Sequence, residues 1–177
     1  MSKFHNLRVV EIRRETVDSV SLLLESVSGE TFHYKAGQYL TLRTTIDGED
    51  VRRSYSLCSA PYEGVLRVAV KEVPDGKFST YANRVLAVGD VLESMLPDGR
   101  FTADTTSNEN NHLGFAAGSG ITPIISIIKE TLHSSAESRF ALFYVNKETA
   151  SIIFKDELAD LKDIYLERLQ IFNLLTR

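Results

Sequence analysis

Three short segments carry residue types suited to chemistry. The first is Arg52-Arg53-Ser54-Tyr55-Ser56-Leu57-Cys58-Ser59. Read as a strand, it sets Arg53, Tyr55 and Leu57 on one face and Ser54, Ser56 and Cys58 on the other. A guanidinium suits a phosphate, a phenol suits stacking on a flat ring, and a serine hydroxyl suits a ring nitrogen. The second is Gly76-Lys77-Phe78-Ser79, at the start of an amphipathic stretch. Ser79 stands where an N-cap belongs, and free N–H groups at a helix start attract phosphate. The third is Gly114-Phe115-Ala116-Ala117-Gly118-Ser119-Gly120-Ile121-Thr122-Pro123. Glycines between a strand end and a helix start let a nucleotide approach the backbone. The segment is neither G-x-G-x-x-G nor a P-loop, which argues against generic dinucleotide and NTPase sites. Each segment taken singly also fits a plain structural role: a strand with a charged edge, a capped helix, a tight turn.

The elements that must position these groups follow two rhythms. Residues 7–15, 17–27, 39–46, 51–58, 65–73 and 91–96 read as short strands, separated by turn pairs such as Asp47-Gly48 and Gly89-Asp90. Such spacing predicts a small antiparallel barrel. One helix interrupts it, with Phe78, Tyr81, Ala82, Val85 and Leu86 as its apolar stripe. Residues 104–111 are polar and aperiodic and read as a linker.

After the linker the pattern becomes strand, helix, strand, helix, strand. The strands are 112–117, 140–145 and 169–174. The first helix has Pro123 in its opening turn and Ile124, Ile127, Ile128 and Leu132 inward; the second carries Phe154, Leu158, Leu161 and Tyr165. This alternation predicts one half of a doubly wound parallel sheet. The expected division is 1–105 for the barrel and 106–177 for the α/β part.

The composition narrows the partners. The 177 residues are 43% hydrophobic and 25% charged, with a net charge of -4 scattered along the chain. No basic run points to nucleic acid or an anionic membrane. Cys58 is the single cysteine, so an internal disulfide and a four-cysteine iron–sulfur site within these residues are both excluded. It reads as a small buried hydrophobe. His5, His33, His112 and His133 have no metal-ligand spacing. The start of the chain lacks a signal-peptide pattern, and no stretch approaches the roughly 20 apolar residues of a membrane span. The expectation is a cytoplasmic protein acting on a small molecule or another protein.

In this order, on these elements, the segments resemble the ferredoxin–NADP reductase superfamily, and within it the reductase components of phenylacetyl-CoA oxygenase systems. Arg53-Ser54-Tyr55-Ser56 is similar to its Arg-x-Tyr-Ser motif, and Gly76-Lys77-Phe78-Ser79 to its Gly-x-x-Ser motif. Leu96-Pro97-Asp98-Gly99-Arg100-Phe101 resembles its barrel-closing turn, and Gly118-Ser119-Gly120-Ile121-Thr122-Pro123 its nicotinamide-side turn. Tyr144-Val145-Asn146-Lys147 and the run from Ile152 to Leu158 look like segments of the oxygenase reductases.

The resemblance implies a six-stranded antiparallel flavin-binding barrel followed by a partial doubly wound parallel sheet. It implies FAD as cofactor and NADH or NADPH as hydride donor, with electrons passed singly to an oxygenase or iron–sulfur acceptor. The cluster itself would lie on another segment or on a partner. Arg53, with Ser54 beside it, would hold the FAD pyrophosphate, Tyr55 would pack on the isoalloxazine and Ser56 would bond near flavin N5. The strand Val68-Ala69-Val70-Lys71, with Glu72 after it, would contribute backbone contacts to the flavin or its ribityl chain. Gly76, Lys77, Phe78 and Ser79 would cap the pyrophosphate. Gly118, Ser119, Gly120, Ile121, Thr122 and Pro123 would face the nicotinamide, with Thr122 nearest the ring. Tyr55, Ser56 and Thr122 are thus the implied catalytic groups. Asn146 and Arg177 fall where the nucleotide's ribose or phosphate end would lie, and equally fit ordinary loop and terminal roles.

The family's later Cys-Gly-Pro turn and terminal aromatic have no counterpart in these residues, and neither has a C-x₄-C-x₂-C iron–sulfur pattern. In the family's strand order, residues 113–117 would be central; here they would form an exposed apolar edge, which soluble proteins avoid. The expectation is a piece of a longer protein, or a chain that covers this edge by self-association. A flavin-binding or docking module without complete nicotinamide-dependent catalysis is the alternative reading.

Overall fold

The computed structural model describes residues 3–103 and 110–176. Most of the expected 104–111 linker lies outside them, as does Arg177 with its expected nucleotide contact.

Strands β1 (His5–Thr16), β2 (Ser19–Ser26), β3 (Tyr39–Ile46), β4 (Glu49–Ser56), β5 (Leu66–Lys71) and β6 (Val91–Ser94) form a six-stranded antiparallel sheet in the order β4-β3-β6-β1-β2-β5. Asp47 and Gly48, at φ 51° and 79°, make the β3–β4 turn; positive φ at both central residues matches the twist of hairpin strands. Register shifts in β1 between Val9 and Glu11 and between Arg14 and Thr16 add the local twist that helps the sheet curl. Leu7, Val9, Leu22, Leu40, Leu42, Val68 and Leu92 fill the interior.

The two end strands meet at one corner only. Leu57 and Val68 form an isolated bridge, and the Cys58 N–H donates to the Arg67 carbonyl at 2.8 Å. Beyond that point β4 and β5 have no ladder between them. Helix α1 (Lys77–Arg84) packs against both strands and buries Phe78 and Ala82 in the barrel core. The expected stripe is longer than this helix. Val85 and Leu86 follow its last residue; Leu86 is buried, whereas Val85 is 66% exposed.

The second sheet is parallel, β7 (Asn111–Ala117), β8 (Arg139–Asn146) and β9 (Leu169–Leu175), in the order β7-β8-β9. Helices α2 (Ile121–Ser134) and α3 (Lys155–Ile164) cover one face, where Phe140, Leu142 and Tyr144 pack with Ile125, Ile128 and Leu158. Among the described residues β7 is an edge strand. Leu113 and Phe115 stand exposed on the other face, and Phe115, Phe143 and Phe172 stack there with centroids 5.2 and 4.8 Å apart. The fold class is the one the sequence predicts, and the two parts share a core: Ala36, Cys58 and Ala69 of the barrel pack with the apolar side of α2. Cys58 is a free, buried thiol, and burial raises its pKa. No described helix is long and apolar enough to cross a membrane.

Candidate functional site

Where β4 and β5 diverge, a cleft of about 320 Å³ opens. Arg53, Ser54, Tyr55 and Ser56 line it from β4. Ala69, Lys71 and Val73 line it from β5 and the turn after it, and Gly76, Phe78 and Ser79 from the start of α1. Ser119 and Thr122 reach the same cleft from the α/β part. Segments far apart in the chain thus converge on one concavity. β4 lies edge-on to it, so residues from both of its faces contribute.

The start of α1 is shaped by close approach. A Cβ on Gly76 would lie 2.3 Å from Ser79 Oγ and 2.6 Å from Val73 Cγ2, so a side chain does not fit there. Gly76, not Ser79, is the N-cap residue. Ser79 lies in the first turn, where its hydroxyl donates to the Gly76 carbonyl (3.1 Å) and accepts from the Val73 N–H (3.3 Å). It ties the entering turn together and caps nothing. With no side-chain cap on α1, the first N–H groups stay open to an anionic acceptor.

Tyr55 packs on Phe78, its ring centroid 5.3 Å away. Burial pushes its phenol up to about 12 against the pull of Arg53, so it is neutral through the physiological range. Arg53 donates to the Arg52 carbonyl at 2.6 Å, and no carboxylate among the described residues pairs with it. The Ser54 hydroxyl shares a hydrogen bond with Thr41 (3.0 Å). Lys71 is paired with Asp18 at 3.4 Å. Across the cleft, the Thr122 hydroxyl donates to the Ser119 carbonyl (3.1 Å), and the Tyr144 hydroxyl to the Gly118 carbonyl (3.0 Å). These two bonds fix the strand-to-helix turn.

Several of the expected residues do not line this cleft. Val70 points into the barrel core, as alternation from Ala69 and Lys71 requires, and its carbonyl accepts from Asn83 Nδ2 (3.0 Å). The Glu72 N–H donates to the Asp18 carbonyl (2.7 Å), and its carboxylate pairs with Arg84 (2.5 Å). Lys77 pairs with Glu49 at 2.5 Å. Ile121 is buried in the α2 core, and Gly118, Gly120 and Pro123 do not line the cleft. Asn146 is buried at the end of β8, also away from it. One lining residue escaped the sequence reading, Val73; Ala69, expected only as a backbone contact, lines the cleft too. The period of two from Lys71 points to Ala69, whose small side chain keeps the cleft open; nothing local marks Val73.

A second hollow, of about 420 Å³, is lined by Asp47, Asp75, Lys77, Thr80 and Tyr81 and shares Gly76 with the cleft. A larger cavity of about 650 Å³ lies on another side of the barrel, against Phe32, Tyr34, Glu25 and Glu30. No lysine or arginine lines it, so it offers no phosphate a counter-charge.

Residues 7–103 match the family profile described as oxidoreductase FAD-binding domain, and residues 115–177 that described as oxidoreductase NAD-binding domain. The chain belongs to the ferredoxin–NADP reductase family. It is 41% identical over 174 residues to one of the subunits of the 1,2-phenylacetyl-CoA epoxidase from Escherichia coli K12, covering 97% of this chain and 49% of that protein. It is 37% identical over 169 residues to the ferredoxin reductase component of 3-ketosteroid-9-alpha-monooxygenase from Rhodococcus rhodochrous, covering 93% and 47%. The structure of phthalate dioxygenase reductase, described as modular for electron transfer from pyridine nucleotides to [2Fe-2S], superposes with a TM-score of 0.81 at 27% identity, covering 96% of this chain and 51% of that one. This reductase-family chain spans about half the length of the curated relatives it matches.

Proposed function

We propose that the chain takes a hydride from NADH or NADPH onto FAD and passes electrons singly to an iron–sulfur centre or an oxygenase partner. One observation carries the reading: the flavin-side groups of β4 and α1 and the nicotinamide-side pair Ser119 and Thr122 line the same cleft. The residues fit a flavin dinucleotide. A Cβ at Gly76 would fill the approach to the uncapped helix start, and Arg53 is free of carboxylates among the described residues.

When bound, FAD supplies acceptance of an electron pair from a nicotinamide and its release in single steps. The protein's part is placement. Arg53 and the first N–H groups of α1 hold the pyrophosphate; the second hollow, joined at Gly76, leaves room for the rest of the dinucleotide. Tyr55 offers a neutral ring for packing, and Ser56 a hydroxyl to a ring nitrogen. Ser119 and Thr122 bring the nicotinamide to the opposite side. A hydride carries its own electrons, so no protein base near neutral pH is required.

The oxygenase partner and a place in phenylacetate breakdown rest on what the relatives serve. Adding FAD to the purified protein is expected to give a yellow species with one flavin per chain, bleached anaerobically by NADH or NADPH. A protein that stays colourless defeats the reading. Bound flavin that neither nucleotide reduces replaces it with a flavin-binding or docking module.

A further inference from the structure

Thr122, Ser126 and Lys129 lie at i, i+4 and i+7, on one face of α2. Thr122 ends in the cleft, and the two below it grip the barrel. The buried Ser126 hydroxyl donates to the Ser59 carbonyl at 2.6 Å. Lys129 is 4% exposed, an unusual place for an ammonium. Its Nζ lies 3.4 Å from the Cys58 carbonyl and 3.3 Å from each carboxylate oxygen of Glu63, and it pairs with Glu157 of α3. Burial works to lower its pKa, but Glu157 and Glu63 outweigh that and raise it, so the cation persists at neutral pH.

The barrel end of this contact is itself fixed. Glu63 Oε2 accepts the Ala60 N–H at 2.5 Å. The Ser59 hydroxyl donates to the Val65 carbonyl (2.9 Å) and accepts from the Arg67 N–H (3.0 Å). Cys58 and Ser59 directly continue the strand that carries Tyr55 and Ser56. One stretch of chain therefore forms the cleft wall at its start and the seat of α2 at its end. Lys129 and Thr122 are about 10 Å apart along the helix at 1.5 Å per residue, so a tilt at the lysine end displaces the threonine end.

We propose that Lys129, clamped between Glu63 of the barrel and Glu157 of α3, is a positioning residue that sets the separation between Tyr55–Ser56 and the Ser119–Thr122 turn, and hence how closely a nicotinamide ring approaches the flavin. The kinetic half rests on the reading under Proposed function; the geometric half does not. Lys129→Met removes the cation and leaves the partly exposed carboxylates of Glu63 and Glu157 without the ammonium between them, where like charges repel.

The test uses the full chain with Val17→Cys on the barrel and Asp160→Cys on α3, both exposed sites, as spin-label positions; the buried Cys58 stays unlabelled. Pulsed EPR is expected to give one narrow distance, which Lys129→Met broadens or shifts by about 2 Å or more, by the tilt argument above. In the FAD-loaded protein, Lys129→Met is expected to lower the limiting rate of flavin reduction by NADH or NADPH roughly 10- to 100-fold, because misplacement by about 1 Å can have that effect. FAD content and reduction by dithionite stay unchanged, and KM moves less than about threefold on the same argument. Glu63→Gln, which keeps the Glu157 pair, gives a smaller change in the same direction and serves if Lys129→Met does not fold. An unchanged distance in a folded variant overturns the proposal, as does a changed distance with an unchanged reduction rate. If the unsubstituted protein takes no flavin, the functional reading fails and the distance alone decides the positioning role.

Discussion

Tyr55 and Phe78 pack with ring centroids 5.3 Å apart and planes inclined by 36°. Phe78 is fully buried in the barrel core, whereas Tyr55 is half-buried at the cleft. The wall that a flat ligand would touch is therefore continuous with the hydrophobic interior, and changes in one are felt in the other.

Phe78→Ala tests that continuity. Emptying a fully buried phenylalanine site costs about 3–5 kcal/mol. The melting temperature is expected to drop steeply, with FAD affinity falling alongside it because Tyr55 loses its support. Calorimetry and flavin-fluorescence titration read the two effects separately.

Arg53→Ala separates binding from stability. The side chain is exposed and unpaired with carboxylates among the described residues, so the melting temperature of the flavin-free protein is expected to hold. A charge-assisted hydrogen bond to phosphate contributes about 1.5–3 kcal/mol, so FAD is expected to bind roughly 10- to 100-fold more weakly. Equal affinity in the variant would show that the pyrophosphate lies elsewhere.

Gly76→Ala brings a methyl group to 2.3 Å from Ser79 Oγ and 2.6 Å from Val73 Cγ2. The turn and the helix start must move apart. Overpacking of this kind costs about 1–3 kcal/mol, and the shift also misaligns the first N–H groups of α1. Both melting temperature and FAD affinity are expected to fall, whereas Gly64→Ala, where a Cβ meets nothing within 4 Å but φ is +67°, lowers stability alone.

Acid is expected to loosen the site through Asp18. Burial works to raise its pKa, but hydrogen bonding from Thr16 and the Lys71 ammonium outweigh it and hold the carboxyl below its usual range. A depressed folded pKa gives stability that is present above the unfolded value of about 3.9 and lost as pH falls through the folded value. Protonation also releases Lys71, which lines the cleft. Melting temperature and FAD affinity are expected to hold from neutral pH to about pH 5 and to decline together below about pH 4, the region of carboxylate titration. Asp18→Asn removes its share of that acid slope while lowering stability at neutral pH by less than about 1 kcal/mol, since the pair is partly exposed.

The barrel was legible because its signals are local. Alternating apolar residues and the Asp47-Gly48 turn specify strands and a hairpin without reference to the rest of the chain. The convergence of Arg53, Tyr55, Ser56 and Thr122 was reached through family resemblance, since no spacing rule places residues 53 and 122 together. What escaped was set by tertiary contact. Ser79 has the right type for a cap, yet the helix begins where Gly76 meets Val73 and Ser79. The Lys77 side chain is likewise set by a distant partner, Glu49, 28 positions away. Lys129 sits beside a run of isoleucines, and nothing local gives it a role; Glu63, 66 positions away, makes it a buried anchor.

The seam between β4 and β5 also bears on the protein before any ligand arrives. Zipped along its whole length, the sheet would spend those amides and carbonyls on its own ladder and leave no berth for a guest. Stopping after the Leu57–Val68 bridge leaves a raw border to which a stray strand can adhere. A guest in that gap hides the border and holds the folded state by mass action. Synthesis that outruns the supply of cofactor is thus expected to leave more of the chain open to such pairing.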